Sequence, residues 1–109
     1  MGEQTINELS VGVIGLGRIS RRHLENAKSI PGVKIRAVSD IVPERTEETA
    51  REYGAKPYVD FRRMLDEEQL DAVIICTPPT VRLDPIRAAA ERSVAVFCEK
   101  PPAAEYESA

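Results

Sequence analysis

Apolar and polar positions along the chain follow the pattern of short strands joined by helices. The apolar runs Ala72 to Cys76 and Val94 to Cys98 predict strands that are buried on both faces, as central strands of a parallel sheet are. Val11 to Gly15 is a similar run that ends in glycine, and Val33 to Val38 alternates in part, which indicates a less buried strand. Pro57 to Val59 has room only for a short one. The pattern therefore predicts five strands.

Two amphipathic helices are predicted in the first half of the chain. The first ends at Pro31 and Gly32, and its inward face consists of Leu16, Ser20, Leu24, Ala27 and Ile30. The second has proline in its first turn, at Pro43, and a C-terminal cap at Gly54. Its inward stripe consists of Thr46, Thr49, Ala50 and Tyr53. Each helix therefore connects two neighbouring strands.

Two shorter helices are predicted in the second half. Asp60 is a suitable N-cap for a helix whose inward residues are Phe61, Met64 and Leu65. The other helix has Pro85 in or near its first turn, and its inward residues are Ile86, Ala89 and Ala90. Strands alternating with helices predict an α/β fold, a Rossmann-type doubly wound parallel sheet with three α/β/α layers. One domain over residues 1–109 accounts for the whole pattern.

Composition supports a folded domain and narrows its partners. Of the 109 residues, 42% are hydrophobic and 30% are charged, which is too apolar for a disordered chain. A net charge of -3 argues against binding to nucleic acid or to an acidic membrane. The apolar runs are far shorter than the roughly 20 residues that span a bilayer. Met1 to Glu8 lacks the features of a secretion signal, so the cytoplasm is the expected location.

The cysteine and histidine content predicts no metal site. Cys76 and Cys98 each end an apolar run, so ordinary buried thiols are expected rather than a disulfide. His23 flanks the apolar face of the first helix and is expected to pack there. These residues do not form a close-spaced ligand set.

A glycine-rich run follows the first strand and opens the first helix. In a sheet of this type ligands bind at the carboxyl ends of the strands. Gly15 permits a tight turn there, Gly17 permits close approach of a pyrophosphate, and Ser20 is small enough for the helix to pack against the strand. The helix N-terminus attracts the negative charge of the phosphates. Candidate cofactor-binding residues in the run are Gly15, Gly17, Arg18 and Ile19.

Asp40 ends the second strand, 23 positions after Gly17. This separation is close to that of the acid that binds the adenosine ribose of a dinucleotide. A carboxylate there accepts hydrogen bonds from both ribose hydroxyls of NAD and repels the 2'-phosphate of NADP. Arg45 lies close enough along the chain to tolerate a phosphate, so NAD is favoured and NADP is not excluded. The alternative roles are an N-cap for the helix at Pro43 or a solvated turn.

Two further groups of candidate residues end the fourth and fifth strands. Thr77 and Pro78 form either a rigid loop beside the nicotinamide ribose or a plain connection in which Thr80 caps the next helix. Glu99 and Lys100 place opposite charges side by side after the fifth strand. Such a pair is either solvated or part of a reactive site.

Taken in order and spacing, these motifs resemble the N-terminal NAD(P)-binding domain of the glucose-fructose oxidoreductase, inositol dehydrogenase and MocA (Gfo/Idh/MocA) family. The resemblance covers Val11 to about Ala104. It is carried by Gly15 to Ser20, Asp40, Thr77-Pro78 and Glu99-Lys100-Pro101. The last motif is the most specific of the four and the glycine run is the least.

The resemblance implies an NAD(P)-dependent oxidoreductase that transfers hydride to or from a sugar, cyclitol or related substrate. It implies that Lys100 is catalytic, binding the substrate hydroxyl and helping its proton to leave. It also implies that Glu99 and Pro101 shape the nicotinamide pocket, with Thr77 and Pro78 near the cofactor. Members of the family are usually oligomers, so a homo-oligomer is a possible state of the complete enzyme.

Three features depart from the family pattern. Arg82 occupies the neighbourhood in which a histidine is common, and Ser93 replaces a glycine before the fifth strand. The family's C-terminal substrate domain has no counterpart in this chain. The leading hypothesis is therefore a cofactor-binding domain that is inactive by itself and belongs to a dehydrogenase. The alternative is a stand-alone nucleotide-binding or redox-sensing module that signals through a partner.

Overall fold

The structure is a computed structural model that describes residues 8–98. These residues form a five-stranded sheet in which every neighbouring pair of strands is parallel. Its spatial order is β3-β2-β1-β4-β5, so the chain starts in the middle and winds outwards in both directions. The strands are β1 (Leu9–Ile14), β2 (Val33–Ser39), β3 (Lys56–Tyr58), β4 (Ala72–Ile75) and β5 (Ala95–Cys98).

Helices cover the two faces of the sheet in pairs. They are α1 (Arg18–Ser29), α2 (Pro43–Tyr53), α3 (Phe61–Glu67) and α4 (Leu83–Glu91), and a 3-10 turn (Pro79–Val81) precedes α4. One core joins α1 and α2 to the sheet, and a second core joins α3 and α4 to its other face. Right-handed crossovers that run outwards in opposite directions place their helices on opposite faces. The predicted doubly wound, three-layer fold is confirmed.

The predicted helix boundaries are confirmed at four positions. Pro43 is the first residue of α2, and Gly54 follows that helix in the left-handed conformation with φ 65°. The Asp60 side chain accepts a hydrogen bond of 2.9 Å from the backbone N–H of Arg62, as expected of the N-cap of α3. Pro85 lies in the first turn of α4. Local sequence therefore determines where these helices begin and end.

The strand β2 contains a bulge that accounts for its incomplete alternation. Val11 pairs with Ile35, but Gly12 pairs with Ala37, so Arg36 is the extra residue. A bulge changes the face on which the following residues lie. Ile35 and Val38 consequently join the same core although they are three positions apart. The expectation that this whole strand is less buried was wrong for its carboxyl half, which is fully buried.

Within residues 8–98, Val94 to Cys98 does not form the central, doubly covered strand that was expected. The strand begins at Ala95 and lies at the edge of the described sheet, with β4 as its neighbour. Val96 and Cys98 point towards α4 and are half-buried, whereas the side chain of Phe97 on the opposite face is 68% exposed. An apolar run thus identified a strand but not the number of faces that are covered.

In two helices, one residue that was predicted to face inward is exposed. Ile30 is half-exposed because α1 ends at Ser29 and Ile30 takes an extended conformation. In α4, Ala88 and Ala89 are buried and Ala90 is exposed, so Ala90 was wrongly assigned to the inward face. The predicted inward stripes of α2 and α3 are buried, apart from the half-buried Phe61 and Tyr53.

We expect Met64→Ala and Phe97→Ala to have very different effects on stability. Met64 is fully buried, and its Cε lies 3.0 Å from the position that a Cβ on Gly12 would take. Removing such a side chain leaves a cavity, so Met64→Ala should lower the free energy of unfolding by about 2–4 kcal/mol. Phe97→Ala should lower it by about 0.5 kcal/mol or less. Urea denaturation measures both, and equal losses would show that Phe97 is packed.

Helix α1, which follows the glycine run, is attached to α2 by polar contacts. Arg21 Nη1 donates to Glu52 Oε2 at 2.7 Å, and the Tyr53 hydroxyl donates to the carboxylate of Glu25. Burial and the bond to Glu25 raise the pKa of Tyr53 to about 12. These contacts connect the exposed sides of α1 and α2.

The raised pKa of Tyr53 predicts a loss of stability in alkali. A folded-state pKa of about 12 against an ordinary value of 10.0 means that protonated Tyr53 stabilises the fold fully below pH 10. That contribution is lost as the pH rises through about 12. In Tyr53→Phe the free energy of unfolding should therefore fall less steeply over this range than in the unchanged chain. Identical slopes in urea titrations at successive pH values would contradict this.

Candidate functional site

A cleft of about 1090 Å³ opens along the carboxyl ends of the central strands. Every sequence-predicted site residue within the described part of the chain lines it: Gly15, Gly17, Arg18, Ile19, Asp40, Thr77 and Pro78. Three separate stretches of sequence therefore meet at one place. A cleft of this volume is large enough for a dinucleotide.

Gly15 permits the closest backbone approach in the cleft. Its φ is +91°, a conformation that residues with a side chain rarely adopt. A Cβ at this position would lie 2.8 Å from the backbone nitrogen of Thr77. The N–H of Gly15 meanwhile donates to the carbonyl of Ser39 at 2.8 Å. Glycine is therefore required here by the protein itself, because the ends of β1, β2 and β4 converge on it.

Gly17 differs from Gly15, because nothing in residues 8–98 requires glycine at this position. Its φ is -78°, which any residue adopts, and the nearest atom to a built Cβ is Nη1 of Arg45, 3.8 Å away. It is the N-cap of α1 and has no side chain with which to cap that helix. The open space lies in the cleft, at the positive end of a helix dipole. This arrangement suits an anion that approaches the backbone closely.

Asp40 is tied to the glycine turn by its carboxylate. Oδ2 accepts from the backbone N–H of Leu16 at 2.7 Å, and Oδ1 accepts from that of Val42 at 2.9 Å. The side chain is 8% exposed, so it is not a solvated turn residue. The N-cap of α2 is Val42, so the capping alternative for Asp40 was also wrong. The carboxylate is held rigidly beside the turn, with acceptor capacity left over.

Arginine side chains make the cleft positive. Among residues 8–98, Arg18, Arg45 and Arg82 line it and Asp40 is the one acidic residue that does so, although the whole chain has a net charge of -3. Arg45 Nη1 lies 3.4 Å from Asp40 Oδ2, and its side chain is 46% exposed. The local excess of positive charge favours a ligand with more than one negative group.

The loop after β4 is braced by hydrogen bonds of its own. The Thr77 hydroxyl donates to the carbonyl of Val81 at 3.3 Å, and Arg82 Nη2 donates to the carbonyl of Thr77 at 3.3 Å. Arg82 is the N-cap of α4, so the alternative that Thr80 caps this helix was wrong. The loop is consequently a fixed wall of the cleft.

Two thiols lie near this wall on opposite faces of the sheet. Cys98 pairs with Ile75 and shares its core, whereas Cys76 belongs to the core on the other face. They do not form a disulfide. Burial raises the pKa of Cys98, and the nearby charge of Arg82 opposes that effect. Cys98 is therefore a poor nucleophile at neutral pH.

Several candidate residues lie outside the cleft or outside the described chain. Glu99, Lys100 and Pro101, assigned by resemblance, fall beyond residue 98. His23 is half-buried on α1 and does not line the cleft. Within residues 8–98 no cluster of His, Cys, Asp or Glu side chains is arranged to hold a metal ion. No helix among these residues is long and apolar enough to cross a membrane.

Sequence reasoning missed the apolar side chains of the cleft. The cleft is also lined by Ile41, Val59, Phe61, Val81 and Pro85. Ile41 lies two residues after the end of β2, and Val59 directly follows β3. The rule that ligands bind where parallel strands end was sufficient to predict Ile41 and Val59. These side chains offer a flat ring system an apolar surface beside the charged groups.

The residues fit a dinucleotide. Gly17 leaves open space at an uncapped helix start, the carboxylate of Asp40 retains acceptor capacity, and apolar side chains surround both. The model of an oxidoreductase family with an NAD-binding Rossmann fold, Gfo/Idh/MocA, matches residues 9–109. The chain belongs to this family. It forms the NAD-binding Rossmann domain, as the sequence motifs predict.

Individual proteins of known identity support this assignment. The chain is 36% identical to the myo-inositol 2-dehydrogenase of Thermotoga maritima over 94 residues, which are 85% of this chain and 28% of that protein. It is 31% identical to the scyllo-inositol dehydrogenase of Lactobacillus casei, solved with NAD(H) and scyllo-inositol, with a TM-score of 0.79 over 86% of this chain and 28% of that one.

A second solved structure contains the other nicotinamide cofactor. The 3-ketoreductase KijD10 of Actinomadura kijaniata, in complex with TDP-benzene and NADP, is 25% identical and has a TM-score of 0.81. The match covers 87% of this chain and 31% of that protein. This chain thus spans less than a third of the length of the proteins that it resembles.

The two glycines of the turn should respond differently to substitution. Gly15→Ala forces a side chain into a left-handed conformation against the backbone of Thr77, so it should lower the free energy of unfolding by about 1–3 kcal/mol. Gly17→Ser places an accepted N-cap residue in open space, so its stability should stay within about 0.5 kcal/mol of the unchanged chain. Urea denaturation distinguishes the two.

NADH affinity is the second property to measure in the Gly17→Ser chain. We expect Gly17→Ser to lower affinity by about tenfold or more, because the new side chain occupies the approach of the phosphates. Normal stability together with lost binding would show that Gly17 serves the ligand. Normal binding of NADH by the Gly17→Ser chain would contradict the prediction that the phosphates approach the backbone at Gly17.

Proposed function

We propose that this chain is the cofactor-binding part of an NAD(P)-dependent oxidoreductase that acts in the cytoplasm. The enzyme transfers hydride between the nicotinamide and a carbon of a sugar, a cyclitol or a related hydroxy or keto compound. The observation that carries the proposal is the space at Gly17, which the protein leaves open at an uncapped helix start. The inositol dehydrogenases among its relatives support the substrate class.

Each candidate residue has a stated task in this proposal. Gly15 and Gly17 shape the turn for the diphosphate, and the backbone of Arg18 and Ile19 continues it into the positive end of α1. Asp40 accepts from the adenosine ribose. Thr77 and Pro78 form the wall beside the nicotinamide ribose. The nicotinamide, when bound, supplies the hydride chemistry.

The remaining assignments rest on the family resemblance. Lys100 binds the substrate hydroxyl and helps its proton to leave, while Glu99 and Pro101 shape the nicotinamide pocket. Residues 1–109 form the cofactor domain, and a further domain that this chain does not contain supplies the rest of the substrate site. We expect the complete enzyme to form a homo-oligomer, with a dinucleotide and a sugar-like compound as its ligands.

A preference for NAD over NADP follows from the position of Asp40. Its carboxylate is held by two backbone N–H groups, so it does not swing away when a ligand arrives. The 2'-phosphate of NADP would bring negative charge against this fixed anion, whereas the free hydroxyl of NAD donates to it. Arg45 lies beside Asp40 and moderates the repulsion, so NADP should bind more weakly rather than not at all.

Parallel titrations with NADH and NADPH test the proposal. We expect saturable NADH binding, followed by nicotinamide fluorescence and by thermal stabilisation of the chain. NADPH should bind about tenfold or more weakly, since a hydrogen bond to a charged group is worth about 1.5–3 kcal/mol. Binding of neither cofactor would contradict the proposed function, and equal affinities would count against Asp40 as the discriminating residue.

Asp40→Asn provides the matching variant. It removes the charge but keeps the size of the side chain, so the preference for NADH should fall about tenfold. Because Asp40 also holds the glycine turn, the variant should weaken both cofactors to some extent. The ratio of the two affinities separates these effects. An unchanged ratio would show that discrimination arises elsewhere in the cleft.

A further inference from the structure

The guanidinium of Arg45 lies where two parts of the expected ligand meet. Its Nη1 is 3.4 Å from Asp40 Oδ2, on the ribose side of the cleft. The same atom is 3.8 Å from the position of a Cβ on Gly17, on the phosphate side. One side chain thus bridges the acid and the glycine turn.

The acceptor capacity of Asp40 makes this position important. A carboxylate has about four lone-pair sites. The N–H groups of Leu16 and Val42 each use one, and Arg45 uses another. A ribose diol needs two sites, so it must take the one that Arg45 holds. Ribose and guanidinium therefore compete for the same carboxylate.

The contact between Arg45 and Asp40 is suited to being exchanged. It is a single contact of 3.4 Å, and the arginine side chain is 46% exposed. Ion pairs of this kind contribute little to stability, because water and salt screen them. The contacts of Asp40 with Leu16 and Val42 are shorter and hold the carboxylate in place when the arginine leaves.

We propose that Arg45 makes the cleft selective for adenosine compounds that carry phosphate. This inference rests on the proposed function. The ribose diol replaces the guanidinium on Asp40, and the guanidinium turns to the phosphates beside Gly17. A nucleoside without phosphate displaces Arg45 from the Asp40 carboxylate and provides no phosphate with which the guanidinium can pair. Arg45 is thus a specificity-determining residue that acts against uncharged and cationic adenosyl compounds.

The test compares ADP-ribose, which has the diol and the diphosphate, with adenosine, which has only the diol. Calorimetry gives the affinity for ADP-ribose, and ligand-observed NMR at millimolar concentration gives that for adenosine. We expect Arg45→Gln to weaken ADP-ribose about tenfold and to strengthen adenosine, so that the ratio of affinities falls by more than about tenfold.

Two control variants isolate the charge and the position. Arg45→Lys keeps the positive charge and should retain most of the selectivity. Arg51→Gln removes a positive charge from the exposed side of the same helix, outside the cleft, and should leave both affinities unchanged. A fall in the ratio with Arg51→Gln would assign the effect to net charge and overturn the inference.

The remaining outcomes are also decisive. If Arg45→Gln lowers the affinity for both ligands by the same factor, or changes neither affinity, Arg45 does not exchange between Asp40 and the phosphates and the inference is overturned. Failure of adenosine to bind the Arg45→Gln chain also overturns the inference, because removing the guanidinium should make the Asp40 carboxylate accessible to the ribose diol. An unchanged chain that does not bind ADP-ribose contradicts the proposed function instead, which distinguishes the two failures.

Discussion

The cleft depends on how closely the backbone approaches at Gly15. A side chain there would collide with the backbone of Thr77, and the N–H of Gly15 is bonded to Ser39 at the end of a third strand. This contact brings together the ends of β1, β2 and β4, three neighbouring strands in the middle of the sheet. A larger residue would separate the walls of the cleft. The residues that line the cleft therefore lie close together because position 15 has no side chain.

Asp40 connects the fold to the ligand because it serves both. Two backbone N–H groups hold its carboxylate, one of them in the glycine turn of another strand. These bonds satisfy buried polar groups and at the same time fix the carboxylate before any ligand arrives. A site prepared in this way loses little entropy on binding. The same bonds mean that no substitution of Asp40 acts on the ligand alone.

Much of this arrangement is visible in the sequence, and the rest is not, for a physical reason. The glycine run and the helix caps depend on neighbours within a few positions, and Asp40 follows Gly17 at the separation that a dinucleotide site requires, so spacing and residue type predict them. Phe97 is different: its strand is apolar, but its exposure depends on which elements cover it. The place of Arg45 beside Gly17 likewise depends on how α2 packs, which no local pattern encodes. Local signals thus predict the elements better than their surroundings.

The start of α1 shows how a binding site is balanced against stability. A helix normally gains from a side chain that caps its first N–H groups, yet Gly17 provides none. Ser20 does not replace it, because its hydroxyl donates to the carbonyl of Gly17 instead of accepting from an N–H group. The helix is held to the sheet by the burial of Ser20, Leu24 and Ala27 on its inward face. Stability is supplied where no ligand binds, and the first turn stays open to an anion.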